Sequence, residues 1–290
     1  MIRLVLLALA FTAALYVVVL LAVWRFQERV VFQPPAGVAP TSVNARQVRY
    51  RSADGVDLFA YVVGGCTPTS TIVLAFHGNA ELARWNVPWA LEVARVTDAC
   101  VVIPEYRGYD GVAGTPSYSN SSADARAALA FVHDSLGATR ERTIYFGHSL
   151  GTAIAAELAD FAAPRTLVLQ APFSSAREMG RRMFLPGLIA FWDMVSRVHF
   201  NTIDRVRTLT VPVWVAHGDN DFVIPVRMGR EVFGAAKQPG ELLIVPGAGH
   251  NDVAARGGAE YWRWLRRAIE SGAVTATSRP AARAGTRPEP

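Results

Sequence analysis

The hydrophobic positions of this chain fall into two patterns. From Leu4 to Trp24 the stretch LVLLALAFTAALYVVVLLAVW carries 21 residues without a charge. A helix of that length reaches roughly 30 Å, the thickness of a bilayer's hydrocarbon core. From residue 45 onward the apolar residues come instead in short runs. RQVRYRS and VDLFAYVVGG are strand-like and are joined by Ala53-Asp54-Gly55, a hairpin signal. TIVLAFHG, ACVVIPEYRG, TIYFGHS, TLVLQAPF, VPVWVAHGD and ELLIVPGAG follow, separated by helical stretches such as SADARAALAFVHDSLG and LGTAIAAELADFA. Continuous apolar runs that alternate with helices predict parallel strands buried on both faces. The expected class is α/β, a mostly parallel sheet flanked by helices, as one domain over residues 45–272.

The flanks read differently. A cleaved signal peptide also begins with a basic residue ahead of an apolar run, as Met1 and Arg3 do here. This run is longer than a usual signal core, and no small-x-small cleavage site follows it, so residues 1–25 are expected to be a transmembrane anchor. Arg3 and the amino terminus lie on one side of the run and Arg25, Glu28 and Arg29 on the other, close to a tie for orientation. Residues 26–44, with paired prolines, are expected to be a juxtamembrane linker. Residues 273–290, rich in Ala, Pro, Thr and Arg, lack periodicity and are expected to be disordered. Residues 174–208 are long for a plain connection between two strands. They carry Met179, Phe184, Phe191 and Trp192, and read either as helices packed on the core or as a short cap lining an apolar pocket.

Composition adds little to this. A net charge of +5 and a pI near 9.5 would suit nucleic acid if the charge were clustered, but Arg279, Arg283 and Arg287 lie in the tail, so no nucleic-acid partner is expected. Cys66 and Cys100 offer neither metal-ligand spacing nor a C-x-x-C motif, and no metal is expected.

The chemistry concentrates at Gly147-His148-Ser149-Leu150-Gly151. Ser149 follows a buried strand and opens a helix, the context in which G-x-S-x-G holds a serine out above the sheet edge. A helix-capping serine would fit the same spacing. A nucleophilic serine needs a base, and the base an orienting acid. Of six histidines, His250 lies in the loop after the last strand run, at the edge where open α/β sheets place their sites. Asp219 and Asp221, after the seventh run, are the available acids.

The pieces FHGN, YRGY, GHSLG, HGDNDFVIP and GAGHND, in that order, resemble the α/β-hydrolase superfamily, and more narrowly its membrane-anchored Bem46-like and ABHD12/13/17-type branch. The resemblance covers about residues 45–272. It implies an eight-stranded α/β-hydrolase fold, a cap near residues 174–208 after strand six, and a Ser149, Asp221, His250 triad with Asp221 as the acid of H-G-x-x-D. It also implies an oxyanion hole from the backbone N–H groups of Leu150 and of Asn79, the residue after His-Gly. His77, Gly78, His148, Phe184, Phe191 and Trp192 are candidate substrate-binding residues. In this fold strand two runs antiparallel beside strand four, which would bring Cys66 near Cys100. A disulfide and a pair of reduced thiols are both open, and a disulfide would place the domain outside the cytoplasm. Three departures from the family pattern stand out: Glu105 replaces the usual Asp before Tyr-Arg-Gly-Tyr, Asp110 replaces the usual glycine after the second Tyr, and HGNAEL brings Glu81 toward the site entrance.

The expected protein is a single-pass membrane-anchored serine hydrolase of acyl esters or thioesters, needing no cofactor, with a small-molecule or lipid acyl substrate. A peptidase or amidase of the same fold, and a catalytically silent membrane-tethered binding protein, are the alternatives.

Overall fold

The structure, a computed structural model, describes residues 1–37, 43–183 and 192–272. Eight strands form one sheet: β1 (Arg46–Arg51), β2 (Asp57–Val63), β3 (Ile72–Phe76), β4 (Cys100–Pro104), β5 (Thr143–His148), β6 (Thr166–Gln170), β7 (Val213–Gly218) and β8 (Pro239–Val245). Their spatial order is β1-β2-β4-β3-β5-β6-β7-β8. β2 runs antiparallel to both its neighbours, and the pairs from β4 onward are parallel.

The continuous apolar runs become strands because both faces of the sheet are covered. Ile72, Leu74 and Phe76 of β3 point into one core cluster and Val73 and Ala75 into the other, the period-two alternation of a strand. The first cluster is closed by α3 (Tyr118–Leu136) and α4 (Leu150–Phe161), through Leu129, Val132 and Ile154. The second is closed by α2 (Val87–Thr97) and the helix Val253–Glu270, through Val93, Tyr261 and Trp264. α3 starts where Ser117 and Asn120 form a reciprocal capping box, and stops at Gly137, whose φ of 62° ends the helix without a Cβ penalty.

The N-terminal helix α1 spans Ile2–Val31, six residues past the expected anchor, so the start of the expected linker is helical. Its upstream part is exposed and strongly apolar, with a mean hydropathy of 2.9, and is a candidate membrane span. Its last turns dock on the domain. The Gln27 carboxamide donates to Val195 O (2.7 Å) and accepts from Arg197 N (2.6 Å), and Glu28 pairs with Arg197. Phe32 is buried against Phe200. Helix geometry ends before Pro34 and Pro35, where proline restricts the preceding backbone. The expected tail and the middle of the expected cap, with Phe184 and Phe191, lie outside the described residues.

Val63 pairs with Val101 across β2 and β4, and this register returns the chain so that Cys66 is disulfide-bonded to Cys100, with Cα atoms 5.0 Å apart. The bond closes a 34-residue separation, for which chain entropy gives roughly 3–4 kcal/mol. The double variant Cys66→Ala/Cys100→Ala is expected to lose about that much in urea unfolding, and wild type treated with reductant to fall to the same value. Equal stability with and without reductant would show that the pair contributes no constraint.

Candidate active site

Loops at the carboxyl ends of β3, β5, β7 and β8 meet on one edge of the sheet, because those strands are parallel and near one another. Ser149 sits between β5 and α4 with φ 52° and ψ −117°, a region that costs a non-glycine residue of order 1–3 kcal/mol. The surroundings fix it there. Ser149 N donates to Gln170 O (3.0 Å), and Thr152 donates to Ser149 O through its backbone N (3.0 Å) and its hydroxyl (2.6 Å). A side chain at Gly147 would run into the Gly151 carbonyl, and one at Gly151 into the Phe76 carbonyl. Glycine at both positions lets strand, turn and helix approach this closely.

Three polar groups converge here. The Ser149 hydroxyl lies 2.8 Å from His250 Nε2, and His250 Nδ1 lies 2.7 Å from Asp221 Oδ2. Asp221 Oδ1 accepts from Val223 N (2.9 Å) and Ile224 N (2.8 Å), and His217 Nε2 stands 3.3 Å from Oδ2. Burial works against the Asp221 charge, but the hydrogen bonds from His217 and His250 override it and hold the carboxyl well below the usual range. With Asp221 ionised, His250 donates from Nδ1 and accepts the serine proton at Nε2. Asp219, the other acid open on sequence, instead accepts from Gly247 N (2.6 Å) and shapes the β8 loop.

Asn79 and Leu150 line the cavity beside Ser149. The Leu150 N–H is among the first of α4, which have no partner inside the helix. The Asn79 N–H meets no backbone acceptor among the described residues. Its side-chain oxygen takes three donors: Gln33 N (2.8 Å), Ala80 N (2.9 Å) and Tyr109 OH (3.0 Å). Those three fix the loop against rotation, and an anion 3 Å from both backbone donors would be stabilised at low reorganisation cost.

The candidate binding residues divide. Trp192 lines the cavity, with Phe173, Met179, Val198 and Phe200 among its apolar neighbours. His77, Gly78 and His148 are not among the residues that line it. His77 is buried with Nε2 3.0 Å from Glu105 and Nδ1 2.9 Å from Gly78 O, and stacks on Tyr106 at 4.0 Å. Burial opposes its charge, and the Glu105 carboxylate outweighs that and raises its pKa. His148 Nδ1 lies 2.9 Å from Glu81 Oε1, and its Nε2 donates to His250 O at 3.2 Å. Glu81 therefore faces inward, away from the entrance where its position in HGNAEL had placed it. Its other oxygen accepts from Gly78 N at 3.1 Å. Glu81 and His148 thus form one clamp that ties the Asn79 loop to the His250 loop around Ser149. Gln33, Tyr109, His217 and this clamp carry no local signal in sequence. Glu81, in HGNAEL, and Glu105, before Tyr-Arg-Gly-Tyr, stood out in sequence only as departures from the family pattern.

A family model described as "Alpha/beta hydrolase family" matches residues 72–205. An uncharacterized protein of Mycobacterium tuberculosis is 32% identical over 88% of this chain and 92% of its own length. The human alpha/beta hydrolase domain-containing protein 17B is 30% identical over 66% of this chain, which spans 65% of that relative. Among solved structures, an esterase from Rhodococcus superposes with a TM-score of 0.60 at 18% identity, over 79% of this chain and 99% of that one. An esterase from Pyrococcus furiosus gives 0.62 at 18%, over 81% and 99%. At such identity these two show the shared fold.

The clamp has a pH signature. Burial pushes Glu81 up, and the bond to His148 and its charge override this, leaving the carboxyl at about 2 against an ordinary 4.5. The unfolded chain therefore takes up the proton first, so the stabilisation is complete above about pH 4.5 and is lost as pH falls toward 2. His148 is raised, so its share is complete below about pH 6.5 and is lost as pH rises through its folded value. Between pH 6 and pH 3 wild type is expected to lose about 2 kcal/mol more than Glu81→Gln in urea unfolding. Parallel pH curves for the two proteins would show that Glu81 is not ionised in this pair.

Proposed function

The chain belongs to the alpha/beta hydrolase family, and on that premise we propose that it is a membrane-anchored serine hydrolase of acyl esters or thioesters. The observation that carries this reading is the unbroken path from Asp221 through His250 to the Ser149 hydroxyl, with gaps of 2.7 and 2.8 Å. Such reach supports an enzyme over a silent binding protein.

In this reading the Ser149 oxygen attacks the acyl carbonyl as its proton passes to His250 Nε2. Asp221 holds the ring and stabilises the imidazolium. The Asn79 and Leu150 N–H groups receive the oxyanion. The tetrahedral species collapses, His250 returns the proton to the departing alcohol or thiol, and an acyl-enzyme remains. Water attacks that ester, again giving its proton to His250, and the acid leaves with Ser149 restored.

The apolar cavity beside Ser149 favours an acyl chain as the recognised part. The exposed apolar length of α1 supports anchoring in a bilayer. The Cys66–Cys100 bond supports an extracytoplasmic domain, since such bonds persist in oxidising compartments.

Full-length protein in membranes is expected to label with a fluorophosphonate probe, and Ser149→Ala and His250→Ala to abolish labelling. Ester turnover should fall by roughly 10⁴ or more in either variant and by about 10⁴ in Asp221→Asn. Labelling that survives Ser149→Ala would remove that serine from the mechanism. Cleavage of an N-terminal peptide amide with refusal of all short and long p-nitrophenyl esters would turn the reading to a peptidase.

A further inference from the structure

The docked end of α1 does more than attach the domain. Val23, Gln27, Val30 and Val31 recur at i, i+4, i+7 and i+8 on one helix face, and all four line the cavity that holds Ser149 and Leu150. Gln33, two residues past the helix, lines it too, and its backbone N–H holds the Asn79 side chain that steadies the neighbouring loop. The opposite wall comes from Phe173, Trp192 and Phe200 of the domain. The position of α1 is fixed by the two hydrogen bonds of buried Gln27 and by Phe32. The cavity is thus closed on one side by the continuation of the apolar helix, and the domain alone would leave it open.

Its lining sets what it holds. Aliphatic and aromatic side chains make up most of the wall, so a hydrocarbon chain is the group it suits. The valines offer no hydrogen-bond partner, so the recognised group is hydrocarbon.

We propose that the last turns of the N-terminal helix are a wall of the acyl-binding site, making the anchor a specificity element that sets the length of acyl chain the site accepts. This rests on the serine-hydrolase reading above, and it assigns to Val30 and Val31 a control of chain length that the reading does not contain. A bulkier residue there shortens the chain the site accepts, and a smaller one lengthens it.

The test uses full-length protein in phosphatidylcholine vesicles and p-nitrophenyl esters from four to sixteen carbons. Wild type is expected to prefer one chain length, read as a peak in kcat/KM. Val30→Phe and Val31→Trp should lower the ten-carbon to four-carbon ratio of kcat/KM about tenfold or more, the scale on which a hydrophobic pocket discriminates a misfit group. Val31→Ala should move the peak to longer chains. Val18→Trp, on the exposed upstream part of α1, should leave the ratio as in wild type. An unmoved peak in all the Val30 and Val31 variants, with Ser149 still labelled by fluorophosphonate, overturns this inference alone. So does an equal shift in Val18→Trp, which would make the effect one of the helix in general. No labelling of wild-type Ser149 overturns the hydrolase reading and this inference with it.

Discussion

Ser149 is held in a backbone conformation that its own side chain disfavours, and the site is arranged around that constraint. The turn survives because α4 packs against β3 and β5 with almost no space between backbones. Gly147 and Gly151 admit this contact, and the Gln170 carbonyl and the Thr152 hydroxyl tie the turn from either side. One consequence is that Ser149 faces the cavity at the sheet edge. Another is the free Leu150 N–H at the start of α4, aligned with the positive end of the helix. Local strain is offset by the burial of two large apolar clusters, one on each face of the sheet.

Around this turn the histidines are organised in pairs with carboxylates. His250 and His217 both address Asp221, His148 addresses Glu81, and His77 addresses Glu105. Only the first pair reaches the serine. The other two lie under the loops that carry Asn79 and His250 and convert buried charge into fixed loop geometry. Unpaired, each of those groups would be costly to bury. Paired and hydrogen-bonded, they hold the loops beside Ser149 in place. This gives the Glu81 and Glu105 departures a physical purpose: each carboxylate reaches the ring of a histidine on another loop.

The N-terminal helix joins two environments. Its upstream face suits hydrocarbon, and its last turns suit the domain, through Gln27, Glu28 and Phe32. A carboxamide buried with both its ends paired makes a rigid joint. The helix therefore leaves the domain at a defined place beside the cavity, and the linker expected from the prolines is shorter than their position suggested.

Sequence by itself determined the local elements. The eight predicted runs became the eight strands: the central ones are apolar throughout because both faces of the sheet are covered, whereas the edge strand β1, RQVRYR, alternates exposed and half-buried positions. The Ser149 turn was legible because G-x-S-x-G between a strand and a helix is a short-range backbone requirement. Tertiary structure decided what depends on contacts between distant segments. It set Asp221 rather than Asp219 against His250, since both acids follow the same strand and only the β8 loop distinguishes them. It paired His77 with Glu105 and His148 with Glu81, contacts between separate loops. It brought Gln33 to Asn79 and the face of α1 to Ser149, across more than a hundred residues of chain in the second case. Hydrophobic patterning is local and repeats with the period of its element, whereas a site assembled from four strand ends and a helix exists only once the sheet order is fixed.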